Sequence, residues 1–151
     1  MSHIEEATTT LQFASLAALL RQDQTEAIEQ HPCMALLRQA VTLVARAHGG
    51  SVRATYEDYT GRAQPTNTNL ALQVPGRLPR GIGLLVDVET GALTFKGDPY
   101  AHEAFFAEVQ RQMIQRYVVL AHCAALGRMH AQVTTRTLES QQVVITGVLH
   151  G

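Results

Sequence analysis

Histidine and cysteine are where chemistry would first be sought, and the chain holds seven of one and two of the other. A transition-metal site is usually announced by two histidines at i and i+4 on one helix face, by a CxxC pair, or by a carboxylate that completes the set. His122 and His130 lie on either side of a helix stop and His102 lies far up the same helix, so none of these spacings occurs. Scattered histidines of this kind are surface residues more often than ligands. Cys123 directly follows His122, and neighbours on a helix diverge by about 100°. They therefore cannot act as nucleophile and base. Glu57 and Asp58 are adjacent in a stretch that reads as strand, so they point to opposite faces and make no acid–base pair. Gly81-Ile82-Gly83 leads into a strand, whereas phosphate-cradling loops lead into a helix N-terminus.

Arginines offer the remaining chemistry. Residues 31–80 hold six arginines against Glu57 and Asp58, while residues 1–30 hold five acids against Arg21 alone. Arg77 and Arg80 flank a proline-rich loop and could clamp an anion, although ordinary surface loops have the same composition. Tyr56 and Tyr59 stand near Arg53 and Arg62, a combination that could stack and neutralise single-stranded nucleic acid. The net charge of −1 excludes a globally basic nucleic-acid binder and leaves local patches open. No motif calls for a cofactor or a metal.

The elements that must position these residues are legible from periodicity. At 151 residues, 46% apolar and 17% charged, the chain has the size and composition of one globular domain. Cys33 and Cys123 fall in expected helices as small hydrophobes and give no disulfide framework. No run approaches the ~20 apolar residues of a membrane span, and the MSHIEEATTT start lacks the blocks of a secretion signal. A cytoplasmic protein is expected.

Residues 1–10 read as frayed, with Thr8 to Thr10 able to cap the next helix. Phe13, Leu16, Ala17 and Leu20 recur at helical spacing. That helix either folds back on its own core or docks on another chain. His31-Pro32 opens a helix that Gly49-Gly50 closes. Ser51 to Tyr59 alternates as a strand, Leu70 to Val74 is a second, and Thr60 to Asn69 is a polar loop. Ile82–Val88 and Ala92–Lys96 form a hairpin closed by Glu89-Thr90-Gly91, with Gly83 leaving room for a close approach.

Asp98-Pro99 is expected to open a long helix ending at Gly127. Phe106, Val109, Met113 and Tyr117 share its core sector, and Ile114 and Val118 belong to a second apolar stripe. Two stripes need two neighbours: the sheet and the earlier helix, or a dimer partner. Two alternating runs then make a terminal hairpin.

Several of these segments resemble the small family first catalogued as hypothetical chloroplast reading frame thirty-five, found in plastids, cyanobacteria and other bacteria. The chain starts MSHI, and Tyr59-Thr60-Gly61-Arg62 is similar to the family's Tyr-x-Gly segment. Ile82-Gly83 begins the strand that leads to a Gly-containing turn. Gln115-Arg116-Tyr117 stands in the long helix where the family carries Gln-Arg-Tyr. The resemblance covers roughly residues 31–149. The family's activity is not established, so it implies no catalytic residue; its bacterial members lie near MoxR-type ATPases and ferredoxin-like proteins, which implies a place in an assembly. Tyr117 is expected to pack, and Arg116 to reach a carboxylate or carbonyl at the sheet rim.

The expectation is one α+β domain over residues 31–151, with residues 1–30 as an N-terminal extension carrying the extra helix. An antiparallel sheet of four to six strands carries two helices on one face. The first functional expectation is a non-enzymatic adaptor or subunit of a multi-protein assembly, meeting a protein partner or a second copy through Phe13, Leu16, Leu20, Ile114 and Val118. The alternative is a small nucleic-acid or anion-binding module using Arg53, Arg62, Arg77 and Arg80.

Overall fold

Threonine is β-branched and suits a strand better than a frayed end, and the Thr-rich start of the chain is accordingly β1 (Glu5–Gln12). Two short helices follow, α1 (Ala14–Arg21) and α2 (Thr25–Glu29), and then α3 (Pro32–Ala47). β2 (Ser51–Arg53) precedes a small hairpin of β3 (Thr55–Glu57) and β4 (Ala63–Pro65). β5 (Leu70–Val74), β6 (Leu78–Val86) and β7 (Ala92–Gly97) lead to α4 (Glu103–Arg128), and β8 (Ala131–Thr137) and β9 (Val143–Leu149) end the chain. This computed structural model describes the backbone of residues 4–128, 131–137 and 143–149, and the side chains of 4–24 and 26–127.

The protein is α+β. Its main sheet is five-stranded and antiparallel in the order β1-β7-β6-β5-β2, and β3-β4 and β8-β9 each form a two-stranded sheet. Register places Leu72 opposite Ile82 and Leu84 opposite Phe95, so large apolar side chains alternate onto one face. Those side chains meet Leu37, Val41 and Val44 of α3 and Phe106, Val109 and Met113 of α4 in a single buried cluster.

The helix boundaries follow their capping chemistry. His31 Nδ1 accepts the Cys33 N–H at 3.1 Å, and Pro32 occupies the first helical position of α3. Gly49 takes a left-handed φ of 67°, and the Gly50 N–H returns to the Ala45 carbonyl at 2.8 Å. At the β6–β7 link the Asp87 carboxylate accepts the N–H groups of Glu89 at 2.8 Å and Thr90 at 2.9 Å, and Gly91 supplies the positive φ.

Three expectations are corrected. Residues 1–30 are not an appended extension: β1 pairs with β7 along the main sheet, and Phe13, Leu16 and Ala17 lie in the core. The threonines that were to cap a helix are strand residues, and α1 starts after Phe13 with no side-chain cap. Asp98-Pro99 does not open the long helix, which starts at Glu103. The Asp98 carboxylate instead accepts the Tyr100 N–H at 3.1 Å and pairs with Arg80, which holds the intervening turn.

Candidate functional site

The arginines do not assemble into an anion clamp. The Arg80 guanidinium forms an ion pair with Asp98, whose side chain is wholly inaccessible. The Arg77 guanidinium lies over the ring of Phe105, 3.7 Å from its centroid. Arg77 therefore anchors the loop before β6 to the first turn of α4, and Arg80 anchors the start of β6 to the turn before that helix. Arg53 is exposed and donates to Ser51 Oγ at 3.2 Å, and it shares a shallow groove of about 280 Å³ with Arg80, Gln73 and Glu57. A carboxylate in that groove opposes a phosphate there.

The tyrosines separate as well. Tyr56 is buried, and its ring lies on Gly83 across the sheet face opposite the helices. Burial is the main cause that pushes its phenol above the usual value, with Lys96 pulling the other way. It cannot stack a base. Tyr59, 57% exposed, and exposed Arg62 stand at the tip of the β3–β4 hairpin, whose turn is organised by Asp58. Asp58 Oδ1 accepts the N–H groups of Thr60 at 2.8 Å and Arg62 at 3.0 Å and the Thr60 hydroxyl at 2.6 Å, and Oδ2 accepts Gln64 Nε2 at 3.0 Å. Those bonds, the Thr60 hydroxyl foremost, hold the carboxyl below the usual range.

One serine–histidine contact exists that sequence reasoning did not single out: Ser15 Oγ lies 3.0 Å from His31 Nε2. Because His31 Nδ1 already accepts a backbone N–H, its proton sits on Nε2 and points at the serine. The imidazole thus donates to the hydroxyl and cannot take its proton. No group of three or more His, Cys, Asp or Glu side chains among the described residues could hold a metal ion.

The expected interface residues fall into two sets. Phe13 and Leu16 are in the core of their own chain, with the Phe13 ring edge-on to Tyr117 at 5.2 Å, so these two do not face a partner. Leu20, Ile114 and Val118 are half-buried against that core. In the Gln115-Arg116-Tyr117 triplet, Tyr117 packs inward, and burial together with a hydrogen bond to the Cys33 thiol pushes its phenol up. Arg116 is exposed, and among the described residues its side chain reaches no carboxylate or carbonyl.

Beyond Tyr117 the surface of α4 changes character. Residues 117–127 (YVVLAHCAALG) contain no Asp, Glu, Lys or Arg, and after Tyr117 none of them is fully buried. Apolar side chains occupy every side of the helix there, not one stripe. The backbone of the β8–β9 hairpin lies beside α4. No described helix is long and apolar enough to cross a membrane. Comparison with protein-family models, with curated proteins and with solved structures finds no match to this chain.

Proposed function

We propose that this chain is a non-enzymatic subunit of a protein assembly, joined to its partner through the C-terminal half of α4. The observation that supports the reading is the uncharged stretch 117–127, apolar all round and nowhere fully buried past Tyr117. A helix apolar on every side belongs in an interior, and here the apolar side chains past Tyr117 are only half-buried, so a partner can complete that interior. The residues with chemical potential elsewhere already have structural partners: Arg80 with Asp98, Arg77 with Phe105, His31 with the start of α3.

The family resemblance carried by MSHI, Tyr59-Thr60-Gly61-Arg62, Ile82-Gly83 and Gln115-Arg116-Tyr117 points to the same kind of role. It names a MoxR-type ATPase as the first heterologous partner to try, beside a second copy of the chain. Light scattering on the eluting protein, with and without such an ATPase, tests the reading. Self-association or a complex is expected, and Val119→Lys should weaken it while the far-ultraviolet circular dichroism stays unchanged. A strict monomer that also ignores the ATPase would overturn it.

A further inference from the structure

A cleft of about 240 Å³ opens between the α1–α2 turn, the first turns of α3 and the Thr66–Asn69 segment. One wall is apolar: Leu20 and Ile28, half-buried, and Met34, fully buried. The opposite wall is polar and already fixed by its own hydrogen bonds. Thr66 Oγ1 donates to the Ala54 carbonyl at 2.9 Å and Thr68 Oγ1 to the Leu84 carbonyl at 2.6 Å. The Asn67 amide pairs twice with the backbone of Val86, at 2.6 and 2.9 Å, as a neighbouring strand would. The cleft is therefore held open by the fold and needs no rearrangement to form.

Its rim is different. Asp23, Glu29, Arg38 and Asn69 all line it, all are exposed, and none has a side-chain hydrogen bond or ion pair with a described residue. Charges that neutralise one another elsewhere, as Glu108 and Arg111 do, here stand apart around an apolar wall. One guanidinium and two carboxylates around such a wall complement a molecule that carries both charges and an apolar body. The two carboxylates oppose an inorganic anion. Ligand pockets for drug-sized molecules begin at roughly 300 Å³, so this cleft fits something smaller.

We infer that the cleft binds a free aliphatic amino acid. Arg38 takes the α-carboxylate in its planar fork, Asp23 and Glu29 flank the ammonium, and the side chain lies on Leu20, Ile28 and Met34. The site is independent of the assembly surface on α4.

Titration of the full chain with L-leucine and L-methionine, followed by methyl NMR, tests it. Saturable shifts confined to Leu20, Ile28 and Met34 are expected. Leucinamide, without the carboxylate, and 4-methylpentanoate, without the ammonium, should each bind about tenfold more weakly or worse, the usual loss for a hydrogen bond to a charged group. Arg38 is exposed, so Arg38→Met should lose the same factor for leucine with the unfolding midpoint of the free protein unchanged. Absence of saturable binding, equal binding of leucine and both analogues, or undiminished binding by the Arg38→Met variant would each overturn the assignment.

Discussion

The ring of Tyr56 rests on the bare backbone of Gly83: a Cβ at that glycine would stand 2.8 Å from Tyr56 Cε1 and 3.0 Å from Thr66 Cγ2, and closer still to Tyr56 Cδ1. This contact seats the β3–β4 hairpin on the second face of the main sheet. Gly83→Ala should destabilise the protein by about 1–3 kcal/mol, the usual range for forced overpacking. In a Tyr56→Ala background the same change should cost less, because the clash with the ring is gone and only the 3.0 Å approach to Thr66 Cγ2 remains. Urea denaturation of the four proteins of this cycle checks it; additive losses would mean that the two residues are not in contact.

Arg80 and Asp98 join the start of β6 to the turn before α4, with the carboxylate wholly buried. Removing Arg80 leaves a wholly buried carboxylate without its cation, so Arg80→Met should cost about 3–5 kcal/mol. Asp98→Ala should cost less, because the guanidinium it leaves is part-exposed and also faces the Tyr100 ring. Arg77→Ala, which removes a stacked cation, should cost about 1 kcal/mol. Thermal and denaturant unfolding would rank the three, and an equal ranking would refute the asymmetry.

Adjacent residues of the long helix should respond in opposite ways. Tyr117→Ala removes a buried ring that packs edge-on against Phe13 and should cost about 3–5 kcal/mol. Arg116→Ala touches an exposed side chain and should stay within about 0.5 kcal/mol. If Arg116→Ala left stability intact and still abolished partner binding, its role would lie at the assembly surface.

Asp58 sets the acid response of the β3–β4 hairpin. Its carboxyl is held below the usual range by the Thr60 hydroxyl and by the Arg62 and Thr60 N–H groups. A carboxyl with a depressed folded pKa contributes stability that is full above the unfolded value, near 3.9, and is lost as pH falls through the folded value. The Thr60 and Arg62 amide resonances should therefore hold steady down to about pH 4 and move only below it. A midpoint at or above the ordinary Asp value would contradict these bonds.

Truncation separates the two readings of the N-terminus. A chain starting at residue 31 would lack β1 and the buried Phe13, Leu16 and Ala17, and it would uncover the edge of β7. It should lose cooperative unfolding and aggregate through that open edge. Cooperative unfolding at the full-length midpoint would restore residues 1–30 to an extension.

Local chemistry explains how far the sequence could be followed. α3 was legible at both ends because His31-Pro32 and Gly49-Gly50 act on their own backbone. The β6–β7 hairpin was legible from its alternation and from Gly91, and Gly83 was correctly marked as a place of close approach, though not for which ring. Tyr117 could be placed in the core from its helical sector alone. β1 was missed because its side chains become strand-like only beside β7, more than eighty residues away; a run of threonines before a helix is equally good capping material.

The sequence by itself determined the α+β class, the antiparallel sheet, the two covering helices and the apolar excess of α4, because periodicity and capping act within one segment. Tertiary structure alone decided the roles of Arg77, Arg80 and Tyr56. Arg77 and Arg80 read as free cations until the fold set Phe105 and Asp98 against them, and Tyr56 read as a stacking ring until it met Gly83. Whether a side chain is available for function depends on what the fold places within a few ångströms of it. Spacing along the chain carries no record of that.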